Sequence, residues 1–213
     1  MRTNELTAML ATGAGPTHAP MAGRRFSIAM ALGGTGSLLL MFFTLKLLPD
    51  LLAAMALQNV WIKLIFTGSM AIISLIASIR LSLPGRRSDN VLMLVLVPVC
   101  VIWALSIFDL VSAAPEQRVE LVFGQTWAVC SALIAMLSIP VFISILWTMR
   151  HLAPTQLRLA GATAGMCSGA TGAFVYCLHC PETDLPFIGV WYLLGILIPT
   201  LIGALIGRSA LRW

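Results

Sequence analysis

Charged residues are scarce in this sequence, and their scarcity excludes a soluble globular domain. Only 10% of the 213 residues are Asp, Glu, Lys or Arg, whereas 59% are hydrophobic, and the mean hydropathy is +0.96. A soluble core cannot bury that much apolar surface. A helix that crosses about 30 Å of hydrocarbon needs roughly 20 mostly apolar residues, so long uncharged runs indicate membrane spans. The composition therefore predicts an integral membrane protein.

Six apolar runs of about this length, with few charged residues, occur, and the loops between them are too short for a second folded domain. We predict an all-α integral membrane bundle of six transmembrane helices over residues 26–213, preceded by a tail at 1–25. The tail lacks the apolar region and cleavage site of a secretory signal, so we expect the first span to be uncleaved. The predicted spans are residues 26–46, 61–80, 91–112, 122–149, 157–179 and 187–207.

Basic residues are unevenly divided between the two sides of this bundle. Of the 13 Lys and Arg residues, ten fall on the side that holds both termini and three on the other. The positive-inside rule then places both termini in the cytoplasm. The net charge of +5 does not indicate nucleic-acid binding, because the arginines lie singly or in pairs at predicted membrane boundaries.

The spans contain little that a transporter or an enzyme would use. Asp109 is the only acid within a span and lies within a turn of its outer boundary, whereas ion-coupled transport usually needs a charged group at mid-depth. Pro98, Pro140 and Pro199 are expected to kink their helices, and broken helices can mark transporter sites. Motifs for nucleophilic, phosphate or zinc-protease chemistry are missing, so we predict no enzymatic activity.

Small residues recur regularly in the fifth predicted span. Gly161, Gly165 and Gly169 are spaced four residues apart, and Gly203 and Gly207 repeat the interval in the sixth span. This spacing lets two helix backbones approach closely in lipid, where packing drives association. We expect the fifth helix to be central and the glycines to serve packing.

The stretch YCLHCPE, residues 176–182, gathers chemical groups at the predicted outer end of the fifth span. Cys177 and Cys180 share one face of the helix end, with His179 and Glu182 close by. These residues could bind a soft or borderline metal ion such as zinc, copper or cadmium. The two cysteines could also form a local disulfide, or one could bridge to Cys130 in the fourth span. The alternative is a helix end with packing cysteines.

Several motifs along the chain resemble one bacterial family. These are Cys130, the S-x-P at 138–140, L-H-C-P-E at 178–182 and W-Y-L-L-G at 191–195. The sequence is similar to the NrsF-type inner-membrane anti-sigma factors, six-span negative regulators of extracytoplasmic-function (ECF) sigma factors of the sigma-F type. The resemblance implies an inhibitor that holds a sigma factor at the bacterial inner membrane and releases it under heavy-metal or oxidative stress.

The resemblance also implies which residues sense the stress. The family's paired cysteines fall on Cys130 and Cys180, while Cys177 lies outside that pair and stays accessory. His179 and Glu182 would tune the thiols, or His179 would join Cys130 and Cys180 as a metal ligand. No obligatory cofactor is expected, and a cadmium, zinc or similar ion is a candidate signal.

The tail carries the candidate contact for the sigma factor. Leu6, Met9 and Leu10 follow the i, i+3, i+4 spacing of an apolar helix stripe, in a segment too short to fold alone. Such a segment could order on a partner, and its alternative is a disordered leader. Two other functions remain open from sequence, a membrane thiol oxidoreductase and a small transporter.

Overall fold

The computed structural model describes residues 19–45, 55–83, 89–152 and 154–212, and all regular secondary structure among them is helical. Residues 188–192 form a π-helical turn between the last two elements. The helices are α1 (Ala19–Thr44), α2 (Gln58–Leu81), α3 (Asp89–Leu94), α4 (Leu96–Ser112), α5 (Arg118–Phe123), α6 (Trp127–Arg150), α7 (Leu157–Tyr176), α8 (Leu185–Phe187) and α9 (Leu193–Ala210). The prediction of an all-α fold is confirmed for this part of the chain.

Four helical stretches are long and apolar enough to cross a membrane: Ala22–Thr44, Gln58–Leu81, Arg118–Arg150 and Leu185–Ala210. They match the first, second, fourth and sixth predicted spans. The third span corresponds to the shorter α4, because the helix breaks at Val95 and places Pro98 in its first turn. The fifth corresponds to α7, whose composition is diluted by glycine, serine and threonine. Four of the six predicted spans thus meet the length and hydropathy expected of a membrane helix.

Helix α7 lies at the centre and packs most extensively on α9, then on α2 and α6. A methyl group added to Gly161 would overlap the carbonyl oxygen of Gly203, and one added to Gly165 would overlap that of Pro199. On another face, a methyl group on Gly172 would lie 2.8 Å from the carbonyl oxygen of Ile134. These glycines therefore allow direct backbone contact, as the spacing predicted.

Buried side chains form two clusters at opposite ends of the bundle. We call the first the thiol-end cluster; its members include Cys130, Tyr176, Cys180 and Tyr192. We call the second the tail-end cluster; its members include Phe26, Leu81, Met149, Ala160 and Leu211. The beginning of α1 and the end of α9 therefore share one end of the molecule, and the turn that follows α7 lies at the other.

The contact between α7 and α9 yields a stability prediction. Gly165→Ala should lower the melting temperature of the detergent-solubilised protein by roughly 2 to 12 °C, because overpacking costs about 1–3 kcal/mol. Gly34→Ala is the matched control, since a methyl group there meets nothing within 4 Å. Tryptophan fluorescence during heating measures both, and equal melting temperatures for the two variants would contradict the packing account.

Candidate functional site

The polypeptide turns tightly after α7 and carries the YCLHCPE cysteines into the core. The amides of His179 and Cys180 both donate to the carbonyl oxygen of Tyr176, each at 3.0 Å. Pro181 follows and cannot donate a backbone hydrogen bond, so regular helix does not resume there. The turn therefore holds Cys180 beneath the helix end, where it is 2% exposed.

Cys130 and Cys180 lie against each other across two helices. Cys130 is fully buried in the first turn of α6, and its thiol lies beside the Cys180 thiol. Both cysteines are free thiols. The structure thus brings together the two residues that the resemblance paired, and a disulfide or a shared ligand would connect α6 to the turn after α7.

Cys177 points to a different neighbour. Its buried thiol donates to the carbonyl oxygen of Ala173 at 3.2 Å and lies 3.8 Å from the Thr67 hydroxyl of α2. The i, i+3 relation to Cys180 therefore does not make the two cysteines partners in this arrangement. Cys177 packs between α7 and α2, beside the thiol pair.

Lys63 is the site residue that sequence reasoning missed. It lies in the second turn of α2 and is 1% exposed. Its Nζ donates to the carbonyl oxygens of Cys180 at 3.1 Å and Glu182 at 3.0 Å, and it lies 5.7 Å from the centroid of the Tyr192 ring. The sequence held one signal for this role, because a lone lysine inside a predicted span, here residues 61–80, itself indicates function.

Tyr192 also lines the site, next to Lys63. The π-helical turn at Ile188–Tyr192 places this fully buried residue beside the thiols of Cys130, Cys177 and Cys180. Its hydroxyl has no partner with full hydrogen-bond geometry among the described residues. π-Helical turns often occur at functional sites because the extra residue displaces one side chain from the regular helical position.

Glu182 anchors the turn and does not approach the thiols with its carboxylate. Its Oε1 accepts a hydrogen bond from the Gln125 amide at 2.8 Å, two residues before α6 begins. Gly124 makes this approach possible with a φ of 52°, a conformation that a larger residue rarely adopts. Glu182 therefore joins the cysteine turn to the segment that leads into Cys130.

The remaining predicted ligands are placed as follows. His179 is half-buried, with its ring 5.8 Å from the Tyr176 ring between centroids. Among the described residues no group of three or more His, Cys, Asp or Glu side chains is arranged to hold a metal ion. Metal binding by Cys130, Cys180 and His179 stays a prediction. Leu6, Met9 and Leu10 lie outside the described residues.

Electrostatics distinguish the turn from its surroundings. The Cys130 hydrogen bond, and after it the Lys63 charge, hold the pKa of the Cys180 thiol below its ordinary value. Partial burial raises the pKa of Asp184, with smaller contributions from the nearby Glu182 and Asp109. The thiol pair therefore lies beside a buried cation, and carboxylates gather farther along the same end of the bundle.

Comparison with known proteins gives one consistent result. Residues 10–213 match the family model NrsF, described as negative regulator of sigma F. The chain is 48% identical to the "Probable anti-sigma-F factor NrsF" of Azospira oryzae and 37% identical to the "Anti-sigma-F factor NrsF" of Caulobacter vibrioides. Both matches cover the full length of both chains, and no solved structure matches. The resemblance found in the sequence is therefore confirmed, and this chain belongs to the NrsF family of negative regulators of sigma F.

Proposed function

We propose that this protein is a membrane-bound anti-sigma factor that releases an ECF sigma factor when its Cys130–Cys180 pair is modified. The relatives are named for action on sigma F, which supports a sigma factor as the partner. The contact between two free, buried thiols on separate elements is the observation that supports the sensor. A disulfide or a shared ligand between the two thiols would connect α6 to the turn after α7, whereas modification of a lone cysteine makes no such connection.

Charge and exposure support a membrane position for this bundle. Large apolar side chains such as Leu32, Phe43 and Leu205 face outward from helices that are long enough to span. The tail end carries six basic residues near helix boundaries, which are Arg24, Arg25, Arg80, Arg150, Arg158 and Arg208. The positive-inside rule places that end in the cytoplasm and the thiol pair near the periplasmic face of the inner membrane.

Helix α7 provides the connection between the two ends. The turn that follows it holds Cys180, and Ala160 in its first turn packs in the tail-end cluster with Phe26. Phe26 directly follows the tail that carries the candidate sigma contact. A shift of α7 against α6 would therefore alter the surface at which the tail emerges, which is a coupling between two sites.

The sensor role predicts the behaviour of cysteine variants in cells. Cys130→Ser and Cys180→Ser should each reduce induction of a sigma-dependent reporter by tert-butyl hydroperoxide to about the uninduced level. Repression without stress should persist, because serine keeps the shape of the site. The matched control is Cys100→Ser, at an exposed cysteine of α4. Wild-type induction in both sensor variants would refute the sensor role.

The proposed role of the tail predicts an effect on binding of the sigma factor. Replacing Leu6, Met9 and Leu10 together by alanine should weaken co-purification of the sigma factor with the detergent-solubilised protein. Loss of an apolar anchor of about 2 kcal/mol corresponds to roughly a 30-fold rise in Kd.

A triple alanine replacement of Thr7, Thr12 and Thr17 serves as the control, because it changes the same tail without touching the apolar stripe. Deletion of residues 1–24 should abolish the complex. Full retention of the sigma factor by the deletion variant would place its binding surface elsewhere.

A further inference from the structure

A formal charge is buried next to the thiol pair. Lys63 is the only charged residue among the buried side chains of the described residues. Both of its hydrogen-bond acceptors are backbone carbonyls, which carry only partial negative charge. Burying an ammonium group in this way is costly, so its retention at this point calls for a function.

Lys63 fixes the position of Cys180 through the backbone. The two carbonyls that it binds flank Pro181, so one side chain from α2 holds the whole Cys-Pro-Glu segment. The same segment presents the Cys180 thiol to Cys130 on α6. The distance between the two sulfur atoms therefore depends on an ammonium group from a third helix.

Tyr192 adds an unused hydrogen-bonding group at the same place. Its hydroxyl is fully buried beside Cys180 and has no partner with full hydrogen-bond geometry among the described residues. Buried polar groups without partners are rare and call for an explanation such as a reactive or ligand-binding role. Together with Lys63, it offers two donors to an oxygen-containing molecule that reaches the Cys180 sulfur.

The charge of Lys63 also discriminates between kinds of reactant. A divalent cation bound between the thiols would lie close to a fixed positive charge in a medium that screens poorly, which opposes its binding. An uncharged hydroperoxide meets no such repulsion, and its oxygens accept hydrogen bonds. Since Cys130 and Cys180 are at most 2% exposed, only small molecules can reach them.

We propose that Lys63 is the specificity-determining residue of the thiol pair, holding Cys180 against Cys130 and favouring oxidation by small hydroperoxides over binding of divalent cations. This inference rests on the sensor role proposed above. Cys180 is the thiol that reacts first with the hydroperoxide, because Lys63 and Tyr192 both lie beside it.

The oxidation proceeds in two steps that use both thiols. The Cys180 sulfur attacks the terminal oxygen of the hydroperoxide, the O–O bond breaks, and the alkoxide leaves with the thiol proton as an alcohol. The Cys130 sulfur then displaces hydroxide from the resulting sulfenic acid, and the hydroxide takes the Cys130 proton to form water. Two thiols and one hydroperoxide thus give one disulfide, one alcohol and one water.

The test uses the purified full chain in detergent and compares wild type with Lys63→Gln and Lys63→Met. The rate of Cys130–Cys180 disulfide formation with tert-butyl hydroperoxide is followed by mass spectrometry, and cadmium affinity by calorimetry under reducing conditions. Both neutral variants should form the disulfide about tenfold more slowly or worse, the effect of losing a hydrogen bond from a charged group. Both should also bind cadmium more tightly than wild type.

Charge and shape are separated by two further variants. Lys63→Arg should restore oxidation to within a few-fold of wild type and keep cadmium binding weak. Thr67→Val, one turn further along α2 and in contact with Cys177, should change neither measurement. Because Lys63→Gln keeps a donor for the loop carbonyls, it tests the charge even if Lys63→Met fails to fold.

Two outcomes would overturn the proposal. In the first, Lys63→Gln and Lys63→Met match wild type in both the rate of disulfide formation and the affinity for cadmium. In the second, Lys63→Arg shows the same rate and affinity as Lys63→Gln. The sigma-dependent reporter, induced with tert-butyl hydroperoxide, shows whether the role of Lys63 or the sensor role itself is wrong. If Cys130→Ser abolishes induction while Lys63→Gln leaves it unchanged, only the role of Lys63 is wrong; if Cys130→Ser also leaves induction unchanged, the sensor role is wrong.

Discussion

The direct backbone contact between α7 and α9 is the constraint on which the rest of the structure depends. In the membrane position proposed above, lipid would remove most of the hydrophobic driving force between helices, so close van der Waals packing would have to hold them together. Gly161 and Gly165 provide it by admitting the carbonyl oxygens of Gly203 and Pro199. Because its side chains are small, helix α7 packs against α2, α6 and α9 at once. The turn that follows it therefore lies inside the bundle, where Cys180 is next to Cys130.

A second constraint acts at that turn, since a buried ammonium group must find acceptors. Lys63 finds them in the carbonyls of Cys180 and Glu182 and in the face of the Tyr192 ring. The Cys-Pro-Glu segment cannot move without leaving Lys63 unsatisfied, which costs more than an ordinary lost hydrogen bond. Three elements together therefore position the thiol pair, and under the proposed sensor role a change at Cys180 would reach α2 as well as α7.

The sequence was enough to predict the helices and the glycine contact, because length, hydropathy and four-residue spacing are local properties. It could not predict the break at Val95, the turn at Gly124 or the π-helical turn before α9, which depend on packing between distant segments. The proximity of Cys130 and Cys180 followed from family resemblance, not from spacing. Lys63 was missed because its burial depends on a loop more than 100 residues away.

The location of the thiol pair favours a signal that moves helix α7 as a whole over one that changes only the surroundings of the cysteines. A disulfide would replace a weak thiol contact by a fixed bond and draw Cys180 toward α6, away from the carbonyl geometry that Lys63 requires. On several faces, the glycines of helix α7 contact the backbone of neighbouring helices, where no flexible side chain can adjust. A pull on its end would therefore shift the helix as a unit more readily than it would rearrange side chains. Its first turn shares the tail-end cluster with Phe26, so such a shift reaches the base of the segment proposed to hold the sigma factor.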